Sequence, residues 1–145
     1  MTDTTGAGDE VAHGVAFARQ MWDDDEASRR LGMDALVIEQ DHAVVRMAIR
    51  DDMVNGHAIC HGGYIFTLAD SCFALACNSR GHLTVAAGAD ISFTAPGRLG
   101  DILVAEAVVR SSFGRSGITD VTVKRESDGQ IIAEFRGRSR ALKRH

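Results

Sequence analysis

The sequence has little that could stack on bases: one Trp, one Tyr and six Phe in 145 residues. It also lacks a phosphate-loop glycine motif, so nucleic acid is not an expected partner. Cysteine is scarce and odd in number. Cys60, Cys72 and Cys77 fall in one otherwise apolar region instead of forming a spaced disulfide framework, which fits a reduced, cytoplasmic setting. Every apolar stretch is broken by Asp, Ser, Asn or Arg before about 18 residues. No basic segment followed by an apolar one opens the chain, so neither a membrane span nor an export signal is expected. What remains is an ordinary globular composition, 45% hydrophobic and 25% charged, with a length that predicts one domain and one sizeable core.

The net charge of −4 conceals an asymmetry. Residues 1–26 hold seven acids (Asp3, Asp9, Glu10, Asp23, Asp24, Asp25 and Glu26) against Arg19 alone, a net −6, which leaves +2 for the remainder. The last ten residues carry Arg136, Arg138, Arg140, Lys143 and Arg144 and no acid, so an anion site near the C-terminus is one expectation. In the last strand Arg136, Arg138 and Arg140 alternate with small or apolar residues and share one face of a sheet. Such a ladder is either a solvated strand face or an attraction for phosphates.

Residues 1–9 are small and polar and are expected to form a disordered tail ahead of a domain over residues 10–145. From Glu10 to Leu31 the apolar positions Val11, Val15, Ala18, Met21 and Trp22 recur at three- and four-residue steps, predicting an amphipathic helix that stops at Gly32. Residues 35–38 and 44–49 read as a hairpin. The stretch from Gly62 to Asn78 is apolar on nearly every side, the pattern of a buried helix, and Ser79-Arg80-Gly81 supplies a suitable end. Four further β-runs follow, near residues 84–94, 102–112, 117–126 and 130–142, with the favoured hairpin turn Asp128-Gly129 between the last two. This order predicts an α+β fold in which an antiparallel sheet of five or six strands wraps one long helix.

Asp70 lies two to three turns into that apolar helix, where an unpartnered carboxylate costs several kcal/mol, roughly, in desolvation. It is either a structural carboxylate or a general base or nucleophile facing a cleft. Just upstream, Asn55-Gly56-His57-Ala58-Ile59-Cys60-His61-Gly62-Gly63 ends where the helix begins. Successive glycines at a helix start can turn backbone N–H groups toward a ligand oxygen, aided by the macrodipole, and so form an oxyanion hole. With Asp70 downstream and Asn55 upstream, the set is a candidate for acyl transfer. A metal site on His57, Cys60 and His61 is disfavoured because structural zinc takes four ligands, and Asp23–Glu26 reads as a solvated helix face. The cysteines read as small core residues.

The run His61-Gly62-Gly63-Tyr64-Ile65-Phe66-Thr67-Leu68-Ala69-Asp70, preceded by Asn55-Gly56-His57, resembles the signature of hotdog-fold acyl-CoA thioesterases of the phenylacetate-degradation (PaaI) type. The resemblance continues through residues 73–79, Phe93-Thr94-Ala95-Pro96-Gly97, Gly100-Asp101 and Phe135-Arg136-Gly137. It implies edge-to-edge dimers, commonly paired into tetramers, with active sites between subunits and no metal or organic cofactor. It implies hydrolysis of aromatic acyl-CoA thioesters, with Asp70 as general base or nucleophile and the Gly62 amide, helped by Gly63, polarising the carbonyl. Asn55 would position the thioester or the water, with His61 in support. Two departures stand out. Residues 86–90 lack the Ser or Thr that related enzymes carry after the helix, leaving Asp90 or Thr84 as substitutes. Ala95 replaces a common basic residue, so the CoA phosphates are expected at Arg98, Arg136 or Arg138. The alternatives are a hotdog hydratase or dehydratase, which needs a His with an acidic partner such as His61 could supply, and a non-catalytic acyl-CoA-binding protein.

Overall fold

The computed structural model describes residues 4–142. Helix α1 (Thr4–Asp23) begins six residues before the expected Glu10, so residues 4–9 of the expected tail are helical, and residues 1–3 lie outside the described residues. Extending an existing helix costs far less than nucleating one, which lets weakly helical residues join it. The expected single helix to Leu31 is broken. Asp25 leaves the helical region (φ −84°, ψ 89°) and its carboxylate accepts from the Ser28 amide, capping a separate short helix α2 (Glu26–Arg30). Gly32, at φ +72°, ends this region as expected.

Strands β1 (Asp34–Glu39) and β2 (His42–Ala48) form the expected hairpin. After a 3-10 turn at Asp51–Met53 and a loop comes α3 (Gly62–Cys77), then β3 (Thr84–Phe93), β4 (Ile102–Phe113), β5 (Ser116–Arg125) and β6 (Ile131–Ala141). The six strands make one sheet in the order β1-β2-β4-β5-β6-β3, with every neighbouring pair antiparallel. Strand β3, which follows α3 in the chain, therefore pairs with the last strand and forms one edge.

The concave face of the sheet holds α3. Ile65, Leu68, Cys72, Phe73 and Leu75 of the helix are buried against it. Small residues in the sheet, Ala43, Ala105, Ala107 and Ala133, let the helix approach closely, and the Phe73 ring fills the space that a Cβ at Gly137 would need. Phe135 packs edge-on to Phe66, with ring centroids 5.4 Å apart, and lies 5.8 Å from Phe73. Each such buried side chain contributes about 1.5–3 kcal/mol of transfer free energy, which makes α3 the centre of the core. The six-stranded antiparallel sheet around one helix is the α+β hotdog arrangement that the sequence predicts.

The outer face of the sheet is a lattice of charge pairs. Arg136 holds Asp120 at 2.6 and 2.9 Å, Arg138 holds Asp90 at 2.8 Å, and Arg46 holds Glu126 at 2.8 Å. The arginine ladder does share one face, and two of its members face carboxylates across neighbouring strands.

Candidate active site

The loop ahead of α3 is shaped by its own polar atoms. The Asn55 Oδ1 accepts from the amides of His57 (2.9 Å) and Ile59 (3.1 Å), and the Ala58 amide donates to the Asn55 carbonyl with Ala58 at φ +60°. The loop is clamped on both sides. The His61 amide donates to the Met53 carbonyl at 2.9 Å, and Cys60 donates to the Gly97 carbonyl at 2.8 Å. Asn55 thus spends its oxygen on the turn and keeps its Nδ2 hydrogens without a partner among the described residues.

His61 is the residue before α3 and makes no side-chain cap, so the first helical amides stay open. Tyr64 donates to the His61 carbonyl at 3.1 Å, whereas the Gly62 and Gly63 amides have no acceptor among the described residues. The Phe93 ring lies over Gly62, with a ring carbon 2.7 Å from where a Cβ would sit, while a Cβ at Gly63 would meet nothing within 4 Å. Gly62 is therefore required by close approach. Beside it opens a cavity of about 460 Å³ lined by Cys60, Gly62, Ile65, Phe93, Pro96 and Gly97. Phe93 is half exposed there, at 51%. Nothing in the sequence pattern marks its role as the cover of Gly62, because the contact joins the end of β3 to the start of α3.

Asp70 is half-buried on α3 and has no hydrogen-bond or ion-pair partner among the described residues. Burial raises its pKa from the ordinary value, and the charge of Asp25 acts in the same direction. Such a carboxylate is a better base than a solvated one. Asp70 does not meet the Gly62 amide within one chain: eight residues at about 1.5 Å each set them roughly 12 Å apart along the helix axis.

The remaining expected residues divide. Arg98 is exposed, bridges through its backbone to Ile59 at the cavity wall, and keeps its guanidinium unpaired among the described residues. Arg136 and Arg138 are paired on the outer sheet face. Of the two expected substitutes for the missing Ser or Thr, Asp90 is paired with Arg138, and the Thr84 hydroxyl donates to the His82 carbonyl at 2.7 Å, beyond the far end of α3. His61 is exposed and has no acidic partner among the described residues. Cys60 is buried with its thiol pushed up to about 11, so it is no ready nucleophile. No group of three His, Cys, Asp or Glu among the described residues could hold a metal ion.

Residues 57–132 match the family model of the thioesterase superfamily. The chain is 39% identical over 125 residues to the acyl-coenzyme A thioesterase PaaI of Escherichia coli, covering 86% of this chain and 89% of that one. The structure of the E. coli PaaI protein from the phenylacetic acid degradation operon superposes with a TM-score of 0.88 at 36% identity, over 92% of this chain and 96% of that one. A Streptococcus mutans protein solved with acetyl CoA bound superposes with a TM-score of 0.73 at 27% identity, over 78% and 90% of the two chains.

Proposed function

For a chain that belongs to the thioesterase superfamily and is an acyl-CoA thioester hydrolase of the PaaI type, we propose that its substrates are aromatic acyl-CoA thioesters of the phenylacetyl class. The support is the E. coli PaaI relative, which comes from a phenylacetic acid degradation operon, and an apolar cavity beside the Gly62 amide. The observation that carries the site is the unpartnered amide of Gly62, at the wall of that cavity, followed by the equally unpartnered amide of Gly63.

The thioester oxygen accepts from the Gly62 N–H, with Gly63 beside it, so that charge developing on oxygen meets a fixed donor and the positive end of the helix dipole. Asp70 acts as general base or nucleophile. As a base it takes a proton from water while the water oxygen bonds to the carbonyl carbon. The C–S bond then breaks, CoA leaves as a thiolate, and the proton held by Asp70 returns to it. Asn55 orients the water or the thioester through Nδ2, and His61 shapes the mouth of the site. Arg98, unpaired at the rim, is the best placed of the expected arginines for the CoA phosphates.

The roughly 12 Å between Gly62 and Asp70 on one helix exceeds the reach of a single thioester group. We therefore place the complete site between two copies, Gly62 from one and Asp70 from the other, in a homo-oligomer built through the exposed β3 edge and doubled into a dimer of dimers. A single domain over residues 10–145 and a cytoplasmic setting complete the proposal. No helix of the described residues is long and apolar enough to cross a membrane.

The test is CoA release, followed with a thiol reagent, across phenylacetyl-CoA, hydroxyphenylacetyl-CoA, benzoyl-CoA and straight-chain esters, with Asp70→Asn as control. The expected result is preference for the aryl esters and a loss of about 100-fold or more in Asp70→Asn. Activity of that variant within a few-fold of the parent overturns the assignment of Asp70.

A further inference from the structure

Past the C-terminal end of α3, the β4–β5 hairpin, the end of β6 and the start of β3 close around a second cavity, of about 150 Å³. Along the helix axis, residues 62 to 77 at about 1.5 Å each put this end roughly 22 Å from Gly62, so the cavity is separate from the site described above. A glycine makes the room. Gly117 lies opposite Ser139 across the β5–β6 pair, and a Cβ there would stand 2.8 Å from the Ser139 hydroxyl and 3.3 Å from the Ser111 carbonyl. Thr119, two residues on and so on the same face of β5, lines the cavity, is 1% exposed, and has a hydroxyl with no hydrogen-bond partner. Ser139 is 6% exposed, and its hydroxyl also has no partner among the described residues. The helix end itself is satisfied, but the sheet beyond it is not. Buried hydroxyls are ordinarily bonded, and leaving two of them open on one cavity wall costs stability unless a ligand bonds them.

The charge around this cavity is positive. Arg115, at the hairpin tip, is exposed; the Ala141 amide donates to its carbonyl at 2.7 Å, and its guanidinium has no partner among the described residues. Asp41 is the one carboxylate among the lining residues, and Arg80 neutralises it at 2.7 and 3.0 Å. The Cys77 thiol, pushed up to about 12 by burial, is neutral. Hydroxyl donors beside an uncompensated guanidinium suit an oxyanion and would repel a metal ion. We propose that this cavity binds a free phosphate-class oxyanion, held by the Arg115 guanidinium at its mouth and by the Thr119 and Ser139 hydroxyls on its wall. The size fits: the volume lies below the roughly 300–1,000 Å³ of pockets for drug-sized molecules, so it admits a free oxyanion and excludes a nucleotide. The place fits the anion site expected near the C-terminus, since Ser139 and Ala141 of β6 line it, whereas Arg136 and Arg138 of the ladder are spent on carboxylates. The proposal does not depend on the roles given to Gly62 and Asp70.

The experiment is a calorimetric titration with inorganic phosphate at constant ionic strength, paired with thermal melts, in the parent, Arg115→Gln, Thr119→Val and Arg110→Gln, with and without saturating coenzyme A. The parent should bind phosphate saturably, and its melting temperature should rise with phosphate but not with chloride at equal ionic strength. Arg115→Gln should weaken phosphate binding by about 10-fold or more and Thr119→Val by about 5-fold. Arg110→Gln removes a positive charge from the outer face, where Arg110 is paired with Asp120, and should bind phosphate as the parent does. Saturating coenzyme A should leave the phosphate affinity unchanged. Absence of saturable binding, parent affinity in Arg115→Gln or in Thr119→Val, or an equal loss in Arg110→Gln overturns the proposal. Competition by coenzyme A overturns it as well, because the phosphate bound would then belong to the coenzyme's own site. Should Thr119→Val not fold, Ser139→Ala takes its place with the same expected loss and the same overturning result.

Discussion

The two ends of α3 are built on opposite plans. At its C-terminal end Asn78 donates to the carbonyls of Ala74 (2.8 Å) and Thr84 (3.0 Å) and accepts from the Thr84 amide (2.8 Å). Ser79 donates to Ala76 and accepts from the Asp41 amide, each at 2.7 Å, and Arg80 grips the Asp41 carboxylate at 2.7 and 3.0 Å. At the N-terminal end two amides and, two turns on, a carboxylate are left without partners among the described residues. A fold that can satisfy the polar groups at one end of a helix so fully leaves those at the other end open at a cost in stability. On the function proposed above, the open end is where bonds to a substrate would be made.

The contrast can be broken hardest at Asp70. Asp70→Asn should lose activity by about 100-fold or more while gaining stability. Its folded pKa lies above the unfolded value, so the ionised form destabilises the native state; the gain should vanish below the ordinary carboxylate range and appear as pH rises through it. Thermal melts at acid and neutral pH check this. Asn78→Ala should do the reverse, costing about 1–3 kcal/mol in urea denaturation by stranding the Thr84 amide, with kcat nearly unchanged below the melting range. Gly62→Ala should lower kcat by about 10-fold by driving Phe93 off the helix start and shifting the oxyanion donor, whereas Gly63→Ala, which meets open space, should fold and melt like the parent. The smallest effect is expected at Arg98: Arg98→Ala should raise KM by about 3-fold at low salt, with the difference shrinking as salt screens the phosphates.

The elements around the site were largely legible because their signals are local. The helix expected from Gly62 to Asn78 spans Gly62–Cys77, and the expected strands fall within a few residues of β1 to β6. The glycine pair and Asp70 stood out because glycines at a helix start and an acid in an apolar helix both contradict their surroundings. The break between α1 and α2 was hidden, since the amphipathic spacing runs on while the competing cap at Asp25 depends on one side chain turning back to Ser28. The pairing of Arg136 with Asp120 and of Arg138 with Asp90 was equally hidden, because it follows from strand register between residues 16 and 48 apart in the chain.

Periodicity and turn chemistry, which act over a few residues, determined from the sequence alone that one apolar helix would be wrapped by an antiparallel sheet, and they singled out the helix start and the carboxylate proposed here to carry chemistry. The tertiary structure alone decided that Phe93 covers Gly62 and that Asp25 is bonded to Ser28, and Ser28 in turn to Ser71 of α3. The contacts of Phe93 with Gly62 and of Ser28 with Ser71 join groups distant in the chain, and only packing in three dimensions assigns them.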